Sequence, residues 1–449
     1  MDSNNLDEQN IKSMSAETPG GRGAAESPTL EKPKAVEASN KKVGLLVGLG
    51  ASALVLIAII ISVVMMTMIL QNNKPGGGTS IVDGDDESSE TALGVTELTS
   101  GSVTATIGEK SVTYKAKYVV DGVAAVVEAG TYESTNDDEV VFLVINGGTL
   151  SLENGVVINK SGSANFDGRG DDYSFYGTNS AVVAVGEGSQ IGMAEVTINT
   201  SVDGANAVVA TDSASVVFSD VTISTTGDAS RGLHATYGGK IVGNGGSITT
   251  KGQSCASLAT DRGAGTVSVT GMTLSTAGAG SPLIYSTGEI TVSSSTGTAT
   301  GAQIAVVEGK NSIELTDCDF SAIGIGNRIP SGAHYPIDNA AVMIYQSMSG
   351  DASMGVGSFK ATDCTLTVTP DTELYAMTPF FFVTNTEAEI LLSNVTANFY
   401  EDEYFVLAAG TDEWGKSSSN GGVVTITATN LTASNTNIGV DEISSVNGI

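Results

Sequence analysis

A right-handed parallel β-helix solenoid, all-β, behind one transmembrane α-helix and a disordered N-terminal tail, is the architecture this 449-residue chain predicts. Three observations carry that reading. Val43–Leu70 is a largely apolar run with no charged residue. Beyond it, a residue type that tolerates left-handed backbone recurs at a near-constant interval. Around each recurrence, apolar residues fall into columns with the alternation of strands.

Residues 1–42 are rich in Asn, Ser, Glu, Pro and Gly and show no apolar periodicity. Such a segment cannot bury enough surface to offset chain entropy, so a disordered tail is expected. Residues 43–70 exceed the ~20 apolar residues that a helix needs to cross a ~30 Å hydrocarbon core. A cleaved signal peptide fits poorly: the lead is long, the apolar run is about twice a usual h-region of ~7–15 residues, and it ends in MMTMIL. Lys32, Lys34, Lys41 and Lys42 precede the span, whereas only Lys74 closely follows it. Basic residues stay on the cytoplasmic side, so a single-pass cell-membrane protein with its tail inside and its C-terminal part outside is expected. Residues 71–90, with Gly76–Gly78 followed by acids, read as a flexible acidic linker. Residues 91–449 form the expected β-helix ectodomain.

Of 50 acidic and 20 basic residues, seven and six lie in the tail, which leaves a net charge of −29 for the rest. A surface that acidic argues against nucleic acid or anionic lipid as a partner. Calcium would suit it, although simple solubility is the plainer reading, and no other cofactor is implied.

The repeat sets the fold. Aligned on the residue before each Val-Thr-Ile-like triplet, the corner column reads Gly155, Glu195, Asp220, Gly245, Gly271, Ser294, Asp317, Asp363, Asn394 and Asn430. All but Glu195 and Ser294 are Gly, Asp or Asn, which tolerate positive φ. From Glu195 to Asp317 the spacings are 25, 25, 26, 23 and 23 residues. Longer intervals hold insertions at 161–177 and 324–338. Ten turns stacked at ~4.8 Å give a rod of roughly 48 Å.

After the corner, Val196, Val221, Gly246, Met272, Cys318, Cys364, Val395 and Leu431 are expected to point inward. A second inward column is read as Val182, Val208, Leu233, Ser257, Leu283, Ile304, Val342 and Phe381. On that phase Val209, His234, Leu258, Ile284, Ala305, Met343 and Phe382 point outward, an apolar outer face for an inserted loop or a partner to cover. Columns of like residues without helix signals mark a β-helix, right-handed by the crossover rule.

The strings ASRGLHATYGG, SLATDRGAGTVSVTG, GSPLIYSTGEI, AVVEGKNSIEL and MIYQSMSGDAS resemble those of bacterial cell-surface right-handed β-helix proteins, pectin-lyase-like and adhesin-like. The resemblance covers about residues 140–445 and is specific for fold rather than activity. It implies surface adhesion, or else cleavage of acidic polysaccharide. The tandem-Asp and Gly-His-Gly motifs of polygalacturonases and the Arg-x-Pro-x-x-Arg pattern of pectate lyases do not occur in this sequence. Neither does an LPxTG-like sorting signal, so anchoring is expected to rest on the N-terminal helix.

Candidate carboxylates for hydrolysis are Asp137, Asp138, Glu139, Asp171, Asp172 and Asp261. Adjacent acids in Gly-rich loops are more often solvated turn residues. A line of residues ending the first strand of successive turns is the better candidate: Asp212, Tyr237, Asp261, Thr287, Glu308, Gln346 and Asn385, with Arg231, His234, Arg262 and Lys310 beside it. Aromatic, carboxylate and guanidinium groups along a groove suit sugar hydroxyls or a peptide. On this reading Tyr237 and Arg262 face solvent. Turn edges are polar in any solenoid, and a His among apolar neighbours is usually a packing residue.

Three cysteines are too few for a disulfide scaffold, although Cys318 and Cys364 share an inward column on adjacent turns. No zinc spacing or Gly-Gly-x-Gly-x-Asp repeat occurs. The expected function is non-catalytic: a membrane-anchored surface β-helix that binds glycan or a partner surface protein. A polysaccharide lyase or glycoside hydrolase, and a structural stalk, are the alternatives.

Overall fold

The computed structural model describes residues 99–165, 169–323, 340–347, 352–369, 379–410 and 421–449. The expected tail, membrane span and linker lie outside these residues, as does the 324–338 insertion. No helix among the described residues is long and apolar enough to cross a membrane.

The described chain is all-β apart from one short helix, α1 (Gly170–Tyr176). It opens with an antiparallel hairpin of β1 (Thr99–Ile107) and β2 (Lys110–Asp121). Every later pairing among these residues is parallel, strand upon the equivalent strand of the next turn. The first ladder runs in register through Phe142, Val182, Val208, Leu233, Leu258, Ile284, Ala305, Val342, Phe381, Val406 and Ile438.

Two further ladders close each turn. They join where Ser215–Thr225 and Gly239–Thr250 run through a corner without a break. One stacks Val216, Ile241, Val267, Ile290, Ile313, Phe359, Ile390 and Ile426. The other stacks Ile158, Ile198, Ile223, Ile248, Leu274, Gly297, Phe320 and Leu366. Alternation with a period of two sends these side chains to one face, and parallel register lays like upon like. The inward columns of all three ladders merge into one buried core.

All ten residues of the corner column have positive φ, from 46° at Ser294 to 87° at Gly155. The residues that follow behave as their position demands. Val196, Val221, Met272, Cys318, Cys364 and Val395 are buried, while Gly246 and Leu431 are half-buried. All three cysteines are free thiols in the interior. The hydrogen bond with the neighbouring Cys364 thiol, and burial after it, push the Cys318 thiol upward.

The phase of the first ladder corrects one expectation. Leu258, Ile284 and Ala305 stack on Leu233 and Val208, so they belong to the inward column. The outward residues are Val209, His234, Ala259, Tyr285, Val306, Met343 and Phe382. Ser257, Leu283 and Ile304 sit one residue earlier, where the chain enters the strand. A slip of one residue exchanges the faces of a strand. Runs such as Leu283-Ile284 and Ile304-Ala305-Val306-Val307 are apolar on both faces, so alternation does not fix their phase.

The outer face is covered rather than bare. Val183, Val185 and Val209 pack with Phe175 and Tyr176 of α1 and with Tyr114 of the hairpin. Further along, Val306, Met343, Tyr345 and Phe382 form a second outer cluster. The insertion at 161–177, expected as a loop, therefore supplies the helix that covers the first part of this face.

Candidate functional site

Helix α1 begins with Asp171 and Asp172 in its first turn, where carboxylates suit the N-terminal end of the helix. It stops at Gly177, which adopts a left-handed conformation (φ 72°) and donates to the Tyr173 carbonyl, while Thr178 N donates to that of Asp172. A Cβ at Gly177 would meet Val209 Cγ2 at 2.9 Å, so this position needs glycine for space as well as for φ.

Several contacts clamp α1 to the ladder. Thr236 Oγ1 donates to the Phe175 carbonyl at 2.8 Å, and Asn206 Nδ2 donates to that of Tyr173 at 3.2 Å. Tyr114 donates to the Tyr176 carbonyl at 2.8 Å. Tyr176 and Tyr237 stack at 5.4 Å, with their hydroxyls 3.0 Å apart. The Arg262 guanidinium lies 3.7 Å from the centre of the Phe175 ring and reaches Asp171 at 3.3 Å. Lys110 pairs with Asp172, and Arg169 pairs with Asp138 at 2.6 Å.

A recess of about 180 Å³ opens between α1 and the entrances to three successive first-ladder strands. Ser174 and Phe175 form the helical wall. Arg231, Ser254, Asp261, Pro282 and Tyr285 are among the residues opposite. Arg231 Nη2 approaches Asp261 Oδ2 at 3.4 Å, while its buried Nη1 has no hydrogen-bond partner. His234 is fully buried, and its Nε2 stands 3.9 Å from the same Asp261 oxygen, beyond hydrogen-bonding reach. Neither ring nitrogen of His234 has a partner. Burial, helped by the Arg231 charge, holds this imidazole well below the usual histidine range, so it is neutral.

Behind the recess lies a hydroxyl–carboxylate cluster. Tyr285, Tyr345 (3.0 Å) and Ser347 all donate to the buried Glu308. Burial pushes the Tyr285 phenol far up, and the neighbouring Tyr345, Glu308 and Asp261 push the same way. Tyr285 is thus a fixed neutral donor between two carboxylates.

The residues expected along one exposed edge divide into different places. Tyr237 N donates to the Arg262 carbonyl, so Tyr237 stands beside Arg262 and not beside Asp261. Glu308 pairs with Tyr345, one residue before Gln346. The expected line therefore mixes two columns, again by a slip of one residue. Arg231, His234 and Asp261 come together at the recess, and Glu308 joins them through Tyr285. Tyr237 and Arg262, expected to face solvent, are half-buried because they hold α1. Gln346 is buried and donates to the Ser347 and Ala352 carbonyls at 3.0 and 3.2 Å. Lys310 is exposed, at the side of a separate groove of about 500 Å³ that Lys240 and Glu289 also line.

Sequence reasoning missed Tyr285 and Phe175. The signal for Tyr285 lay in GSPLIYSTG: with the correct phase it is the outward residue of its strand. Among the described residues, no three His, Cys, Asp or Glu side chains stand together as a metal site. No protein family, curated protein or solved structure matches the chain.

Proposed function

We propose that this chain is a membrane-anchored surface protein, a right-handed β-helix held outside the cell by the 43–70 segment, that binds a glycan at the Arg231–Asp261 recess without cleaving it. One observation carries the proposal: a small recess lined by an aromatic ring, a guanidinium with a buried unpartnered nitrogen, and a carboxylate. A buried donor left without a partner costs about 1–3 kcal/mol, a cost that a ligand hydroxyl would remove. Binding needs no cofactor.

Binding is favoured over catalysis by the state of the carboxylates. Glu308 already accepts hydrogen bonds from Tyr285, Tyr345 and Ser347, so its oxygens are engaged within the protein rather than presented to a substrate. Tyr285, with its phenol pushed up and donated to Glu308, is not placed to act as a base.

The test is a glycan array probed with the full chain, beside an assay for release of reducing ends or unsaturated products. Array binding that is lost in Ser174→Trp, which would fill the recess, supports the reading. An empty array overturns it. Steady product release abolished by Asp261→Asn would favour the enzymatic alternative.

A further inference from the structure

Building on the glycan-binding reading, we infer that the recess takes a single neutral pyranose, a chain end or side branch, and discriminates against uronic acids. The volume sets the first limit. About 180 Å³ falls below the ~300–1,000 Å³ of ordinary small-molecule sites, so one ring fits and a run of rings does not.

The polar groups set the second. Arg231 offers donors only, and Asp261 offers acceptors only, side by side at 3.4 Å. A pair of neighbouring sugar hydroxyls is the complement, because each hydroxyl both donates and accepts. A carboxylate is not. It would satisfy Arg231 Nη1 but bring a second negative charge against Asp261, whose partner guanidinium is already shared. The neutral His234 beneath offers that charge no compensation. The acidity of the exterior chain repels an anion at longer range as well.

Apolar contact completes the match. Arg262 covers one face of Phe175 and the outer cluster buries most of the rest, so the edge of that ring at the recess, together with Pro282, is what meets the C–H groups of a sugar. The Ser174 and Ser254 side chains stand at the same recess for the remaining hydroxyls.

The experiment uses the full chain, purified in an amine-oxide detergent that carries no sugar headgroup. Saturation-transfer NMR and calorimetry would be run with methyl glucoside, methyl galactoside and methyl mannoside, and with glucuronate and galacturonate. At least one neutral pyranoside should bind, with affinity at least tenfold above that of the matching uronate. Asp261→Asn, which keeps the shape of the side chain, should lower that affinity tenfold or more, and Ser174→Trp should abolish it. Melting temperatures of both variants guard against unfolding. A uronate that binds as tightly as its neutral counterpart, or more so, overturns the inference while leaving the glycan reading intact. Failure of all five probes overturns it too. If array ligands then survive Ser174→Trp, the recess itself is the wrong site.

Discussion

At the scale of single residues, the corner column separates conformational cost from contact. Gly271 holds φ at 67°, and the nearest atom to a Cβ built there is 3.8 Å away. Room exists, so a substitution would suffer almost wholly from the backbone. Gly271→Val should cost about 1–3 kcal/mol in urea unfolding, because a β-branched residue rarely tolerates this region. Asp363, at φ 55° and exposed, should accept Asn with little loss, since Asn populates the same region. Equal losses in both variants would mean that φ is not what the column selects. Lys160 makes a second residue-scale case. Its side chain is buried, and Nζ donates to the carbonyls of Asn136 (2.7 Å) and Ser161 (3.0 Å). Burial lowers its pKa from 10.5 to about 8, against the pull of Glu139, Asp137 and Asp138. Between those values the unfolded chain binds more protons than the folded one, so this group adds stability as pH rises through the window. Relative to Lys160→Met, the wild type should gain unfolding free energy between pH 8 and pH 10.5. A difference that stays flat would mean the amine is hydrated.

At the scale of elements, helix α1 is the piece that turns a plain solenoid face into a recess. Seven residues cannot hold a helix alone in water, since nucleation is unfavourable and isolated helices below ~12–15 residues are marginal. Its order therefore depends on what it touches. Tyr237→Ala with Arg262→Ala should lower stability by about 1–3 kcal/mol, as half-buried ring packing is lost, and should open the 161–177 insertion to protease. Unchanged melting and cleavage would mean that α1 is held by its backbone contacts alone. This element also shows what the sequence could and could not reveal. The corner residues were readable because chirality restricts them locally, one residue at a time. Strand phase was not readable where Leu258, Ile284 and Ala305 sit in runs apolar on both faces. The site failed for the same reason: Asp261 and Glu308 were placed in line with Tyr237, whereas they belong one residue earlier. The docking of α1 rests on partners far apart in sequence, such as Tyr114 with Tyr176, and no local pattern announces such contacts.

At the scale of the whole molecule, the lysines ahead of Val43 and the acids beyond Leu70 predict an exterior solenoid. Protease added to intact cells should remove the β-ladders and spare residues 1–42. Digestion of the tail instead would reverse the orientation. The stacking also has a mechanical consequence. Each turn contacts mainly the turn before and the turn after, so turns resist tension in series. A chain held at its N-terminal side and pulled through a ligand at Arg231 carries load only in the turns between. The ladders from Ala305 onward would stay slack. Near the recess, where corners lie 25 residues apart, each turn that yields should release roughly 80–90 Å of chain at ~3.3–3.6 Å per residue. Single-molecule pulling through that point should show separate steps, of this length for the 25-residue turns and longer for the turn that carries the 161–177 insertion. One large rupture would instead mean that the turns fail together.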